Sequence, residues 1–392
     1  MVFATKGFKE TARSLSLFLA LLFAGEANSQ DWESHANMNR MRFESSAIQY
    51  NDDIYVFNGF GPSIRIEPTI EKFDAGTNTW SIVGNTSVAL GNAVTHNGII
   101  RNGEHVWIIG GRIGSHPGAV SNKVWLYNLT SGNWTSGPTL PVAGAAGGAA
   151  LVDNKVHWFG GLDTQARCDS GNHFVYDINQ PAAGWQNISA VAAMPVPRNH
   201  FATTVLNGWI YAIGGQHGHD GCPGQNTQDT NLVHAYNPQT NEWVQKASLP
   251  TAQSHIEPST FVYRGAIYVA GGETNGNKIF RYNPTQDEWD IVGQLPEILL
   301  APVARVIDDE LFIASGGAPN AFLPTASTRS TSITPLILPG NESTIDTAQD
   351  NSDTQDNSAT EGSGDEESLI SIEAEYFDTS TCLLYTSDAA DE

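Results

Sequence analysis

The stretch Arg198–Trp243, RNHFATTVLNGWIYAIGGQHGHDGCPGQNTQDTNLVHAYNPQTNEW, decides the fold. Its runs FATTV, WIYAI and LVHAY alternate over short lengths, a period of two that predicts β-strands. Asn207-Gly208 is a tight turn between the first two. Gly214-Gly215 closes the second run, and a polar, glycine-rich loop follows. Asn237-Pro238 starts the turn into a fourth strand at Trp243. The unit is therefore expected to be one four-stranded antiparallel sheet.

Working outward, the same pattern recurs along the chain. The second glycine of the pair falls at Gly59, Gly111, Gly161, Gly215, Gly272 and Gly317, in steps of 52, 50, 54, 57 and 45 residues. An aromatic follows at Phe73, Tyr127, Tyr176, Tyr236 and Tyr282, then a tryptophan at Trp80, Trp134, Trp185, Trp243 and Trp289. The first copy carries Asn58 in place of its first glycine. This combination resembles the kelch repeat of β-propellers and covers Trp32 to Pro339. The resemblance implies an all-β, six-bladed propeller. Sheets stacked radially would bury the faces that a lone sheet leaves wet, with Trp and Tyr between blades. The sixth copy lacks a tryptophan after Gly317. The segment around Trp32 is expected to supply that missing outer strand and close the ring, which removes an exposed edge.

Outside residues 30–339 the chain reads differently. Lys6, Lys9 and Arg13 precede the apolar run Leu15–Ala24, and Ala27-Asn28-Ser29 offers a cleavage signal, so residues 1–29 read as a secretory signal peptide. A secreted or periplasmic protein without a membrane span is expected. Residues 340–368 are acidic and polar and read as a disordered linker. Residues 369–381 contain IEAEYFD, which resembles the first strand of family 6 carbohydrate-binding and malectin-like modules. That resemblance implies a truncated β-sandwich, with Glu373 and Glu375 at positions that help bind calcium. Residues 382–392 resemble translated sequencing adapter and read as an artefact. The formal net charge is −23 with pI ≈ 4.7, which argues against nucleic acid and anionic membranes as partners. A monomer is expected.

Setting Cys382 aside leaves Cys168 and Cys222, in the loops after the double glycine of adjacent repeats three and four. An exported protein permits a disulfide between them.

Function is expected on the face that carries these long polar loops and the starts of the inner strands. The loops offer Arg112 and His116 in repeat two, Gln216, His217, His219 and Asp220 in repeat four, and Glu273 in repeat five. Aligned on the double glycine, the strand starts offer Arg42 and Glu44, Arg198 and His200, and His255 and Glu257. These thirteen residues form the candidate ligand-binding set; the alternative is that the arginines and histidines bond neighbouring backbone as a habit of the repeat. His217, His219 and Asp220 are also candidate metal ligands, with calcium possible, though no cofactor is assigned.

Two classes of function follow. In the first, the propeller is a carbohydrate-associated binding module. In the second it is an enzyme, since kelch propellers include sialic acid epimerases and other propellers are polysaccharide lyases. His200, His217, His255 and Glu257 are then the candidate acids and bases, with Arg198 neutralising a sugar carboxylate. A copper radical oxidase is a less favoured third reading, because the required pair of His, pair of Tyr and Cys–Tyr crosslink is not visible.

Overall fold

The computed structural model describes residues 30–336, apart from 87–90, 92, 115–117, 164–167, 219–221, 223–225, 275 and 319–322. The chain divides into two units, Met1–Gln355 and Asp356–Glu392, and every described residue belongs to the first. The segments read from sequence as signal peptide, linker, truncated module and adapter-like tail, with His116, His219 and Asp220, lie outside the described residues.

Among the described residues, six four-stranded antiparallel sheets follow one another along the chain. Sheet four is the quoted stretch: Ala202–Leu206, Trp209–Ile213, Val233–Asn237 and Glu242–Lys246. Sheets one, two, three and five begin at Ser46–Tyr50, Gly98–Asn102, Gly148–Val152 and Thr260–Tyr263. Sheet six takes three strands from its own repeat, Val303–Ile307, Glu310–Ala314 and Thr328–Ser332, and its fourth from Glu33–Ser34. Glu33 pairs with Ser330 and Ser34 with Arg329, so the expected borrowed strand is present.

The first hairpin of several sheets turns through two left-handed residues. Asn207 and Gly208 have φ of 51° and 76°, and Asp153 and Asn154 have 50° and 58°. Positive φ at both central residues gives the twist that matches flanking strands, and Asn, Asp and Gly tolerate it.

The core lies between sheets. Tyr211, Ile213 and Val233 of sheet four pack with Ile267, Val269 and Phe280 of sheet five. Similar clusters join every consecutive pair of sheets. One more joins sheet six to sheet one, through Val303, Ile307 and Phe312 against Ile54, Val56 and Phe73. Each large apolar side chain so buried contributes about 1.5–3 kcal/mol. The repeated tryptophans reach across the same gaps. The indole N–H of Trp185 donates to Pro138 O at 2.8 Å, Trp243 to Ala192 O at 3.0 Å and Trp289 to Ala247 O at 2.9 Å. Trp32 plays this part for sheet six, donating to Gln294 O at the end of sheet five at 3.3 Å.

The double glycine is a second inter-sheet link. The N–H of Gly111 donates to Gly144 O at 2.8 Å, Gly161 to Arg198 O at 2.9 Å and Gly215 to Gln253 O at 2.8 Å. At Gly214, φ is +62° and an added Cβ would stand 2.4 Å from Gln253 O, so only glycine permits this approach. Asn58 holds the equivalent place in sheet one at φ 56°. In sheet six the left-handed pair is Ser315 and Gly316, and Gly316 N–H donates to Arg42 O of sheet one at 2.9 Å. The sixth copy therefore aligns on Gly316, one residue before the glycine that sequence spacing selects.

Candidate functional site

Just before each inner strand the chain makes a left-handed turn. The turning residues are Glu44, His96, Ala146, His200, His255 and Ala301, all with φ between 45° and 54°. Neighbouring turns are joined by backbone: Ala146 N–H donates to His96 O at 2.7 Å, His200 to Ala146 O at 3.0 Å and His255 to His200 O at 3.1 Å.

The side chains of four of these residues, from sheets one, two, four and five, meet. The rings of His200 and His255 lie 4.4 Å apart between centroids, and those of His96 and His200 lie 4.9 Å apart edge to face. Glu44 stands between His96 and His255, with one oxygen 3.7 Å from Nε2 of each. We call this convergence the mouth.

One side of the mouth is polar. Glu273 Oε2 lies 3.1 Å from His255 Nδ1 and accepts from Ser254 Oγ at 2.8 Å and Gln216 Nε2 at 3.0 Å. Asn199 bonds His200 Nδ1 and donates to Asp169 Oδ1, and Gly218 N–H donates to Asp169 Oδ2 at 3.1 Å. The other side is apolar, a buried cluster of Phe43, Phe60, Leu300 and Ala301. Backbone bridges pair Phe43 with Phe60, Asn199 with Gln216 and Leu300 with Gly317, so the two sides use equivalent positions of different repeats.

Burial by itself depresses the His255 imidazolium, but Glu44, Glu273 and Glu257 together outweigh it and hold the group up to about 9. Burial pushes the Glu257 carboxyl up to about 7, against the opposing pull of His255. At neutral pH a charged imidazolium and a half-titrated carboxyl thus belong to one electrostatic cluster.

Several expected site residues are elsewhere. Arg42 is fully buried, paired with Glu71 and donating to Asn58 O and Thr69 O at 2.9 Å each. Arg198 is also fully buried; it donates to Gly214 O at 2.6 Å and Ala212 O at 3.0 Å, and burial lowers it to about 9. Both arginines serve their own sheets, as the repeat-habit alternative has it, and are withdrawn from the ligand set. Arg112 is buried, with Nη1 donating to Gly118 O at 3.3 Å. His217 is partly exposed beside Asp169, at 3.7 Å. Among the described residues no group of three or more His, Cys, Asp and Glu is placed to hold a metal ion.

The register of repeat five also needs correction. Five repeats place the turning residue 15 positions before the glycine, as in His200 and Gly215, whereas His255 and Gly272 are 17 apart. His255 is therefore the counterpart of His200 and Glu44, not of Arg198, and Gln253 takes the arginine's place. The same count of 15 from Gly111 marks His96, which ungapped alignment of selected repeats passed over.

The Cys168–Cys222 disulfide joins the loops of sheets three and four, with Cα atoms 4.8 Å apart. It anchors Asp169 next to the mouth, and it leaves neither cysteine of the described residues as the free thiol that a Cys–Tyr crosslink would need.

A second group of histidines lies in the wall between sheets three and four. His173 Nδ1 donates to Ala192 O at 2.9 Å, so its Nε2 accepts from His157 Nδ1 at 3.0 Å. Burial pushes His157 down to about 3 and His173 to about 4. His234, lowered to about 4 by burial and the adjacent Arg198, accepts from that guanidinium at 3.3 Å.

Comparison with known proteins defines the class. Residues 138–317 match the family model described as the KLHDC2/KLHL20/DRC7 Kelch-repeats domain, and residues 95–141 match the Kelch motif. The repeats are kelch repeats, and the fold is that of a kelch-repeat propeller. The chain is 23% identical over 323 residues to the Kelch repeat-containing protein At3g27220 of Arabidopsis thaliana, covering 76% of this chain and 74% of that protein. It is 28% identical over 237 residues to the Kelch-like protein terF of Aspergillus terreus (strain NIH 2624 / FGSC A1156), covering 57% of this chain and half of that protein's length, 50%. The solved structure of YjhT aligns with a TM-score of 0.59 at 15% identity, over 75% of this chain and 95% of that one. Among the described residues no helix is long and apolar enough to cross a membrane.

Proposed function

We propose that the chain is an exported, six-bladed kelch propeller that binds carbohydrate at the mouth. The ring reading draws support from the packing of sheet six on sheet one and from the strand Glu33–Ser34. Deleting Asp31–Met38 should then destabilise the whole propeller, because Trp32, Met38 and the outer strand go together. A deletion variant with the parent's melting temperature would overturn closure.

The observation that carries the binding reading is the meeting of Glu44, His96, His200 and His255 beside Gln216, Ser254 and Glu273. Sugars present vicinal hydroxyls that donate and accept, next to apolar C–H faces. A polar arc of imidazole, amide and carboxylate opposite an apolar one matches both. Calorimetry against a panel of oligosaccharides tests it. His200→Ala should weaken the best ligand by about tenfold or more, the worth of one to two buried hydrogen bonds. Unchanged affinity would move the search away from the mouth.

A second reading is favoured by one observation, the pairing of His255 near 9 with Glu257 near 7. Such a pair suits proton transfer at carbon, as in an epimerase or lyase. Glu257→Gln should then cut turnover by about 10²–10⁴ while substrate still binds. Absence of solvent deuterium from every bound sugar, together with absence of unsaturated product, would rule this reading out.

A further inference from the structure

Resting on the reading that the mouth binds a sugar, we infer that it takes an amino sugar and holds the protonated amine between Gln216 and Glu273. The charge inventory comes first. Glu44, Glu273 and Asp169 bring three carboxylates to the mouth or its edge, with His255 set between Glu44 and Glu273. Arg42 is neutralised by Glu71, and Arg198 is engaged by main-chain carbonyls. The sequence suggested an acidic glycan through Arg198, but neither of these guanidiniums is available to one. Among the described residues the three carboxylates outnumber the His255 imidazolium, so an anionic sugar would meet a net excess of like charge and an ammonium group a net excess of opposite charge.

Gln216 supplies the second, independent observation. Its amide nitrogen faces the Glu273 carboxylate, which can only accept, so the orientation of the amide is fixed. The amide oxygen is left as an acceptor that meets no donor among the described residues, although the residue is only 4% exposed. A buried acceptor without a donor costs about 1–3 kcal/mol, and a ligand donor at that point would recover it. Glu273 is the more exposed carboxylate, its side chain 38% exposed against 15% for Glu44. An ammonium has three donors and no acceptor, which suits an amide oxygen beside a carboxylate. Acetylation removes the charge and adds a carbonyl that would face the carboxylates.

The test is calorimetry on the full chain at low salt with four probes: a glucosamine tetramer, its N-acetylated counterpart, a galacturonate tetramer and spermidine. The glucosamine tetramer should bind at least tenfold more tightly than either other sugar. Glu273→Gln should weaken it by about 10- to 100-fold, the range for a charge-assisted hydrogen bond. Gln216→Leu, which keeps the backbone pairing with Asn199, should narrow the preference for the free amine if Glu273→Gln fails to fold. Equal or tighter binding of the acetylated or uronate tetramer would overturn the amine inference and leave the sugar reading standing. Spermidine binding that depends on Glu273, with no sugar bound, would uphold the amine and overturn the sugar. Silence from all four probes overturns both.

Discussion

One histidine of the mouth and three of the wall live under opposite rules in this molecule. At the mouth, His255 sits among Glu44, Glu273 and Glu257 and is held up to about 9. In the wall, His157, His173 and His234 are buried away from carboxylates and held at about 3, 4 and 4. Burial acts on all four in the same direction. The carboxylates decide the sign at His255, so that position keeps charge in the interior while the wall excludes it.

The comparison can be broken at either end of the pH scale. The largest effect is expected in acid. The folded pKa of each wall histidine lies below the unfolded value, so its contribution is complete above about pH 6.5 and is lost as pH falls toward the folded values. Stability should drop on the order of 9 kcal/mol between pH 6.5 and 4, about 3 for each histidine, followed by urea unfolding. A His157→Phe/His173→Phe variant that loses stability in parallel with the parent would show that the wall is not the acid-sensitive region.

Next comes the disulfide, which closes a loop across 54 residues. Replacing both Cys168 and Cys222 by Ser should cost about 2–4 kcal/mol. It should also loosen Asp169 and weaken ligand binding at the mouth, while leaving the acid limb of the wall unchanged. Loss of stability with full ligand affinity would separate the bridge from the mouth.

The alkaline limb should be smaller. The folded pKa of His255 lies above the unfolded value, so its contribution is complete below about pH 6.5 and is lost as pH rises through about 9. Glu257 acts with the same sign at lower pH, its contribution complete below 4.5 and lost through about 7. A decline on the order of 2 kcal/mol from pH 6.5 to 9 is expected, and His255→Gln should flatten it. A decline that persists in that variant would place the alkaline sensitivity outside the mouth.

The smallest effect sharpens the comparison by changing a mouth position that carries no charge. Ala146 turns at φ 52°, where glycine is free of strain but loses more entropy on folding. Ala146→Gly should therefore alter stability by no more than about 0.5 kcal/mol. A larger loss in thermal unfolding would mean that the methyl group, rather than the backbone link to His96 O, holds the turn.

Much of the scaffold was legible in sequence because its signals are local. The alternation of WIYAI, the Asn207-Gly208 turn and the paired glycines each report on a few neighbouring residues. Even the borrowed strand was legible, since Trp32 stood where the sixth repeat lacked its tryptophan. The mouth was only half legible. Glu44, His200 and His255 were candidates, but two extra residues before Gly272 put His255 out of register, and His96 was passed over. Arg42 and Arg198 look like ligand anchors in a sequence. Their partners, a carboxylate on the third strand and a row of carbonyls, appear only once the sheet is folded. The opposite charge states of His255 and the wall histidines depend on contacts between sheets, and no spacing encodes those.

The six turning residues have a consequence for the shape of what can be bound. In sheet order they read Glu, His, Ala, His, His, Ala. The polar residues fall into two adjacent pairs, Glu44 with His96 and His200 with His255, and each pair is followed by an alanine that brings no hydrogen-bonding side chain. On the proposed reading, a ligand at the mouth would therefore meet its partners on two flanks rather than evenly around it.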